Sequence, residues 1–392
     1  MNKKNKIKVL FLSAWYPNRY DAMAGLFVRK HAEAVSLYCD VTVLYVYGDK
    51  KIVDFEVVNQ RVGKIEEWIV YYPYKENSWL GKISKQINYL KAYIKGIRAL
   101  DIKQNKPNII HVNILTRTGF IAYLLSKSYN IPYVITEHWS RYFRNRNSYR
   151  GVFRKLITKL VVKNASAVLP VSTGLQKAMI DHKLLNRNYQ VVNNVVDDYF
   201  FEDIKLNKTS NKKRILHISC FEEPVKNICG ILRAVKALST QRTDFELVIV
   251  GTGIDYDTVV SYANELNLPK KLVEFTGELS PAEVATQFYQ ADFFVLFSNY
   301  ENAPVVISES LSCGVPVIST NVGAISEMVD DSNGVLIEAE DEIALTNSMN
   351  YMLDNLNKFN TISIKKEAQK KYSFAHIGNI IINIYYSIIH EI

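Results

Sequence analysis

Apolar residues fall into short runs rich in branched and aromatic side chains, and these alternate with longer stretches that repeat at helical spacing. In the first half, residues 8–13, 41–46, 109–113, 133–136, 167–172 and 190–194 predict strands. Helical spacing runs through Leu26, Phe27, Val28, His31, Ala32 and Val35, and again through 173–181. Alternation over 55–74 around Gly63 predicts a hairpin or edge element. After a polar stretch at 203–213 the pattern restarts, with strands predicted at 214–219, 245–250, 272–276, 293–297 and 315–318 and helices at 227–239, 256–266, 304–311 and 372–392. Two successive βα-alternating halves imply an α/β protein of two doubly wound, Rossmann-like domains facing each other across a cleft. The expected boundaries are 1–203 and 204–371, followed by a terminal helix at 372–392.

One helix has two readings. Between residues 82 and 100, Ile83, Ile87, Leu90, Ile94 and Ile97 form a single stripe, and Lys82, Lys85, Lys91, Lys95 and Arg98 occupy the rest. Such a stripe is most often core against a sheet. A basic amphipathic helix lying on a membrane is the other reading.

The length of 392 residues agrees with two domains, since single cores stop growing near about 250–300 residues. No apolar run reaches the roughly 18 residues of a membrane span, and the basic start, Met1 to Lys8, leads into a strand without a cleavable apolar core. A reducing, cytoplasmic setting fits the four cysteines, Cys39, Cys220, Cys229 and Cys313, which have neither CxxC nor metal-ligand spacing. Charge divides the chain more sharply than its net of +9 suggests. Residues 1–210 carry 34 Lys and Arg against 16 Asp and Glu, whereas residues 211–392 carry 14 against 23. No acid separates Glu137 from Asp181, while Arg141, Arg144, Arg146, Arg150, Arg154 and Lys155 fall between them. A solvated face and a surface for phosphates, on a lipid or a nucleic acid, both fit such a run.

Chemistry concentrates between residues 291 and 329, where Glu301 follows the buried run 293–297 and Glu309 lies about two turns into the next helix. The carboxyl end of a parallel strand is where open α/β sheets bind ligands. Gly25 between strand and helix, and Glu137–His138 at the end of 133–136, occupy comparable positions in the first half. Asp255 and Asp257 have DxD form but open a helix after VGTG, where acids serve as caps, so no metal site is expected there. VGTG also lacks the third glycine of a dinucleotide fingerprint.

The ordered segments PNRY, AMAGLFVRKHAEAV, TEHWSRY, VNNVVD, SCFEEPVKN, VGTG, VEFTGELS and SNYENAPVVISESLSCGVPVISTNVGAISEMV resemble the retaining GT-B glycosyltransferases of the family 4 type, over nearly the whole chain. The resemblance implies a hexosyltransferase-type enzyme that moves a sugar from UDP or GDP to a saccharide or lipid-linked acceptor, in cell-surface polysaccharide or lipopolysaccharide synthesis. It implies no cofactor and no metal, and a terminal helix, 372–392, that packs back on the first domain. By the same likeness Glu301 reads the donor's sugar hydroxyls and Glu309 the ribose. The backbone of Asn302, Ala303, Pro304 and Val305 lies at sugar and diphosphate, Lys226 offsets the diphosphate charge, and the backbone around Leu279 meets the base. Gly25 lets a loop approach the diphosphate, and His138 stabilises developing charge near the donor sugar.

Three departures stand out. The stretch Ser219, Cys220, Phe221 stands where a diphosphate-binding Arg is common, Pro304 lacks an N–H where Gly is common, and Ala24 stands where a second Gly is often found. Arg141, Arg144 and Arg146, in the basic and aromatic segment 139–154, are the expected contacts with an anionic acceptor or membrane surface. Nucleic acid is not an expected partner of such an enzyme, although a non-catalytic polyanion-binding protein is the alternative reading of the basic half.

Overall fold

The computed structural model describes residues 6–75, 79–143, 148–204, 212–269 and 271–390, which divide into two compact units: Met1–Val195 with Phe374–Ile392, and Val196–Ser373. Arg144, Arg146 and most of the linker expected at 203–213 lie outside the described residues. The division itself falls at Val196, whose N–H bonds the Tyr372 carbonyl at 3.0 Å, and Phe200 already belongs to the second core.

In the first unit the elements run β1 (Lys8–Ser13), α1 (Leu26–Ser36), β2 (Asp40–Asp49), β3 (Glu56–Val62), β4 (Ile65–Pro73), α2 (Trp79–Ala99), β5 (Ile109–Asn113), α3 (Thr116–Tyr129), β6 (Tyr133–Glu137), α4 (Val152–Asn164), β7 (Ala167–Pro170) and α5 (Thr173–Asp181). The seven strands order as β3-β4-β2-β1-β5-β6-β7, all parallel except β3, which pairs antiparallel with β4 through a turn holding Gly63 at φ 57°. Residues 190–194 form no strand. An isolated bridge, Val168 to Tyr189, and bonds from the Gln190 N–H to the Val168 carbonyl and from the Val192 N–H to the Pro170 carbonyl, both 3.0 Å, tie this stretch to β7.

In the second unit the elements are β8 (Lys213–Ile218), α6 (Glu223–Lys226), α7 (Ile228–Ser239), β9 (Phe245–Val250), α8 (Tyr256–Glu265), β10 (Val273–Gly277), α9 (Pro281–Gln290), β11 (Phe293–Leu296), α10 (Val305–Ser312), β12 (Val317–Thr320), β13 (Gly334–Ile337), α11 (Glu342–Asn355) and α12 (Thr361–Tyr372). Its six parallel strands order as β10-β9-β8-β11-β12-β13. The order reverses between β8 and β11, and β11 is buried along its whole length, as its continuous apolar sequence requires.

The last helix, α13 (Phe374–His390), belongs to the first unit. Its apolar face, Ile377, Ile381, Ile384, Tyr385 and Ile388, is buried against α1, and Gly378 makes the approach close: a Cβ there would stand 2.4 Å from the Ala34 carbonyl oxygen. Ser373 separates it from α12, so the terminal helix begins after Tyr372.

Helix α2 contradicts the core reading of its stripe. Ile83, Ile87, Leu90 and Ile94 are 40–49 % exposed, while Ala92, Tyr93 and Gly96 face the sheet. The reason is steric. A Cβ on Gly96 would approach Leu44 to 2.5 Å, so the helix seats on the side carrying its small residues.

Candidate functional site

In the second unit the sequence builds the site at the end of β11. The chain leaves the sheet at Phe297, and Ser298 turns its hydroxyl onto Glu301 Oε1 at 2.9 Å, while the Ser298 carbonyl accepts Thr320 Oγ1 at 2.6 Å. Glu301 is 9 % exposed, and its Oε1 also accepts from Lys226 Nζ at 2.6 Å. Both bonds fall on one oxygen. The other, Oε2, is the oxygen that can turn to a ligand hydroxyl.

Lys226 ends α6, and that short helix is stitched to the Glu301 loop by its backbone: Asn299 donates from its N–H to the Val225 carbonyl at 2.8 Å and from Nδ2 to the Pro224 carbonyl at 3.2 Å. From the other side, the Ala324 N–H bonds the Asn302 carbonyl at 2.9 Å, and Gly323, at φ 63°, passes so close that a Cβ would meet the Glu301 carbonyl at 2.2 Å. The segment from Ser298 to Asn302 is therefore fixed by three neighbouring stretches before any ligand arrives.

Pro304 stands as the N-cap of α10 at φ −67° and ψ 121°, so its missing N–H falls outside the helix, and Val305 opens the run of first-turn amides that lack intrahelical partners. Glu309 is half-buried in the second turn of α10, beside Cys313. Leu279 packs partly into the core next to Gly277, whose carbonyl accepts the Gly251 N–H at 2.8 Å. Cys220 is exposed, and its neighbour Phe221 is fully buried with its ring 5.1 Å from Tyr256. Gly251 and Gly253 follow from that packing, because a Cβ on either would run into the 219–221 backbone at 2.0 and 2.5 Å. Asp255 does not cap α8 with its side chain. Its carboxylate accepts the Glu223 N–H at 2.8 Å, which holds α6 in place. Among the described residues no group of three His, Cys, Asp or Glu side chains is placed to hold a metal.

His217, behind Lys226 on β8, is buried with Nδ1 at 2.9 Å from the Val295 carbonyl and Nε2 at 2.8 Å from Ser219 Oγ. The carbonyl only accepts, so Nδ1 carries the proton and Nε2 accepts from the serine. Burial pushes its pKa down to about 4.

The first unit assembles a second group of predicted residues. Gly25, at φ 62°, is the N-cap of α1, and a Cβ there would meet the Trp15 carbonyl at 2.5 Å. The turn before it is held by Asp21, whose Oδ1 accepts the N–H groups of Met23 and Ala24 at 2.9 and 3.0 Å. His138 lies alongside, its ring 4.5 Å from Phe27 and 5.1 Å from His31. Its loop is tied down by Glu137, a buried carboxylate that accepts the N–H groups of Leu115 (3.0 Å), His138 (2.9 Å) and Trp139 (2.8 Å). Burial, then the neighbouring His31, push the His138 imidazole well below the usual histidine range, so the ring is neutral. Trp15 and Trp139 meet at 5.0 Å, joining the loops after β1 and β6.

Arg141 is not a surface cation. It is 8 % exposed, with its guanidinium 3.0 Å over the Trp139 ring, and burial lowers its pKa. The expectation that it faces a membrane is thereby corrected. Ser298 and Glu137 were visible in the sequence only as residues at strand ends, because hydrogen bonds that hold a loop leave no periodic signal.

Residues 198–371 match the family model for glycosyl transferases group 1, and residues 32–199 match that for glycosyltransferase family 4. The chain belongs to the family 4 type of glycosyltransferases. An uncharacterized glycosyltransferase of Methanocaldococcus jannaschii is 26 % identical over 345 residues, which covers 85 % of this chain and 93 % of that protein. An N-acetylgalactosamine-N,N'-diacetylbacillosaminyl-diphospho-undecaprenol 4-alpha-N-acetylgalactosaminyltransferase of Campylobacter jejuni is 27 % identical over 218 residues, 54 % of this chain and 57 % of that protein. HepE of Anabaena, solved in complex with UDP, superposes with a TM-score of 0.71 at 18 % identity, over 97 % of this chain and 100 % of that one. The two parallel-sheet units of this glycosyltransferase are thus those of the GT-B fold.

Proposed function

We propose that this glycosyltransferase transfers a hexose from UDP or GDP to a saccharide or lipid-linked saccharide, with retention at the anomeric carbon, in the assembly of a cell-surface polysaccharide or lipopolysaccharide. The observation that carries the reading is Glu301, a carboxylate whose Oε1 is engaged by Lys226 and Ser298 and whose Oε2 faces the role of a sugar-hydroxyl acceptor. HepE was solved with UDP, and the Campylobacter relative is named for a diphospho-undecaprenol acceptor. Those names support a nucleotide donor and an acceptor that bears a diphosphate and a lipid.

In this reading Lys226 and the first amides of α10 carry the diphosphate charge, Glu309 reads the ribose, and Leu279 sits by the base. Gly25 and His138 take the diphosphate and donor-sugar roles in the first unit. The neutral His138 contributes hydrogen bonding to its partner, without a charge. The bond from the anomeric carbon to the diphosphate breaks as the bond to the acceptor oxygen forms on the same face, and the acceptor proton passes to the leaving diphosphate. Positioning and diphosphate stabilisation then matter more than a strong protein base. A panel of UDP- and GDP-sugars, followed by thermal shift and then by proton NMR of the product, tests this. One donor that stabilises the protein and yields a product of unchanged anomeric configuration supports it, and an inverted product contradicts retention.

A further inference from the structure

The exposed stripe on α2 has a counterpart on α4. On α4, Val152, Phe153, Leu156, Ile157 and Leu160 point outward while Thr158, Val161 and Val162 face the core, and Phe153 is 82 % exposed. Leu90 of α2 and Ile157 of α4 line the same hollow of about 260 Å³, together with Phe120 and Ile121 of α3 and the cations Arg117 and Arg154. Two rows of large aliphatic and aromatic side chains therefore flank one apolar depression on the first unit. Contiguous exposed apolar surface of this kind marks an interface.

The charges around it select the occupant. Helices α2, α3 and α4 carry five, two and four Lys or Arg and no Asp or Glu. An isologous pair of copies would set these cations against themselves, which disfavours a second molecule of this chain. Among the described residues no helix is long and apolar enough to cross a bilayer, and five cations on α2 suit a helix lying in the interfacial plane. Apolar side chains in the acyl boundary with lysines at the headgroups are what an anionic membrane surface recognises.

We propose that the α2–α4 face docks this protein onto a bilayer containing anionic phospholipid. The contact replaces Arg141, whose side chain is buried, as the membrane-facing group. It goes beyond the transferase reading and does not depend on it, because vesicle binding is measured without a donor or acceptor.

The test is co-sedimentation of the full chain with vesicles of equal parts phosphatidylcholine and phosphatidylglycerol, and with phosphatidylcholine alone. The protein binds the anionic vesicles. Phe153→Ser with Leu156→Ser, both at exposed positions, lowers that binding about tenfold or more while leaving nucleotide-sugar hydrolysis and thermal stability unchanged. Lys155→Gln with Lys159→Gln lowers binding to the anionic vesicles, as does added salt. No vesicle binding by the natural chain overturns the proposal. So does full binding by the Phe153 and Leu156 variant, which would reduce the contact to charge alone. A concentration-dependent dimer in light scattering that the same variant abolishes would also overturn it, assigning the face to a second copy.

Discussion

Glu301 is held by one oxygen, and that asymmetry decides what its substitution does. Glu301→Gln keeps the shape but loses the ion pair with Lys226 at 2.6 Å, so kcat/KM is expected to fall about 100-fold or more, and the melting temperature falls as well because Lys226, 15 % exposed, keeps its charge without a counter-charge. His138→Ala is expected to cost about 100- to 1000-fold in kcat if its ring acts on developing charge. Because burial keeps His138 neutral, the kcat profile of the natural enzyme carries no acid limb near the usual histidine value. A limb at that pH which disappears in His138→Ala would contradict this.

Four buried histidines with lowered pKa values, His31, His111, His138 and His217, make stability depend on pH, and two of them give the size of the effect. His31 and His217 have folded pKa values of about 4 against 6.5 when unfolded. Above pH 6.5 both are neutral in either state. As pH falls below it, the unfolded chain binds protons that the folded one refuses, so stability falls until about pH 4, by roughly 3 kcal/mol for each histidine. Thermal unfolding followed from pH 7 to 4 shows this loss, and His217→Gln flattens the share that comes from the second unit.

Individual elements differ in how plainly the sequence announces them. β11 and α10 are legible because a continuous apolar run and a proline-led helix each have one physical reading, and the observed helix starts at Val305. Helix α2 misleads because it has two usable faces. Large isoleucines dominate its periodicity, yet Gly96 and Ala92 supply the close contact that the sheet needs. Residues 190–194 look like a strand by composition and end as a segment tied to β7 by two backbone hydrogen bonds, from Gln190 and Val192, without forming a ladder. Glycines at close approaches make the sharpest element-scale test. Gly378→Val would drive a side chain into Ala34 on α1 and is expected to destabilise the first unit by about 1–3 kcal/mol, read by chemical denaturation. Gly25→Ala strains a φ of 62° and meets the Trp15 carbonyl, so the loop after β1 must shift and kcat/KM must fall by more than stability predicts.

At the scale of the molecule, each unit has its own core and its own sheet, and the alternation that produces both is readable in the sequence up to about residue 318, although 190–194 forms no strand and β13, α11 and α12 carry no prediction. The charge contrast between the halves was readable too, but its use was not. A sequence gives the sign of a charged helix without saying which side of it faces water. The loop-fixing bonds of Glu137, Ser298 and Asn299 are likewise three-dimensional facts, since each joins residues whose only sequence mark is a place near a strand end. A donor that binds the folded second unit alone should raise its stability by about 2.7 kcal/mol at a hundred times its dissociation constant.

The most direct measurement is release of nucleoside diphosphate from a panel of UDP- and GDP-sugars by the natural enzyme and by Glu301→Gln, with folding checked by circular dichroism. Turnover of at least one donor, reduced about 100-fold or more in the folded variant, is the predicted result. Equal turnover by both proteins, or none of the donors turned over by the natural enzyme with its acceptor supplied, would contradict the assignment of Glu301.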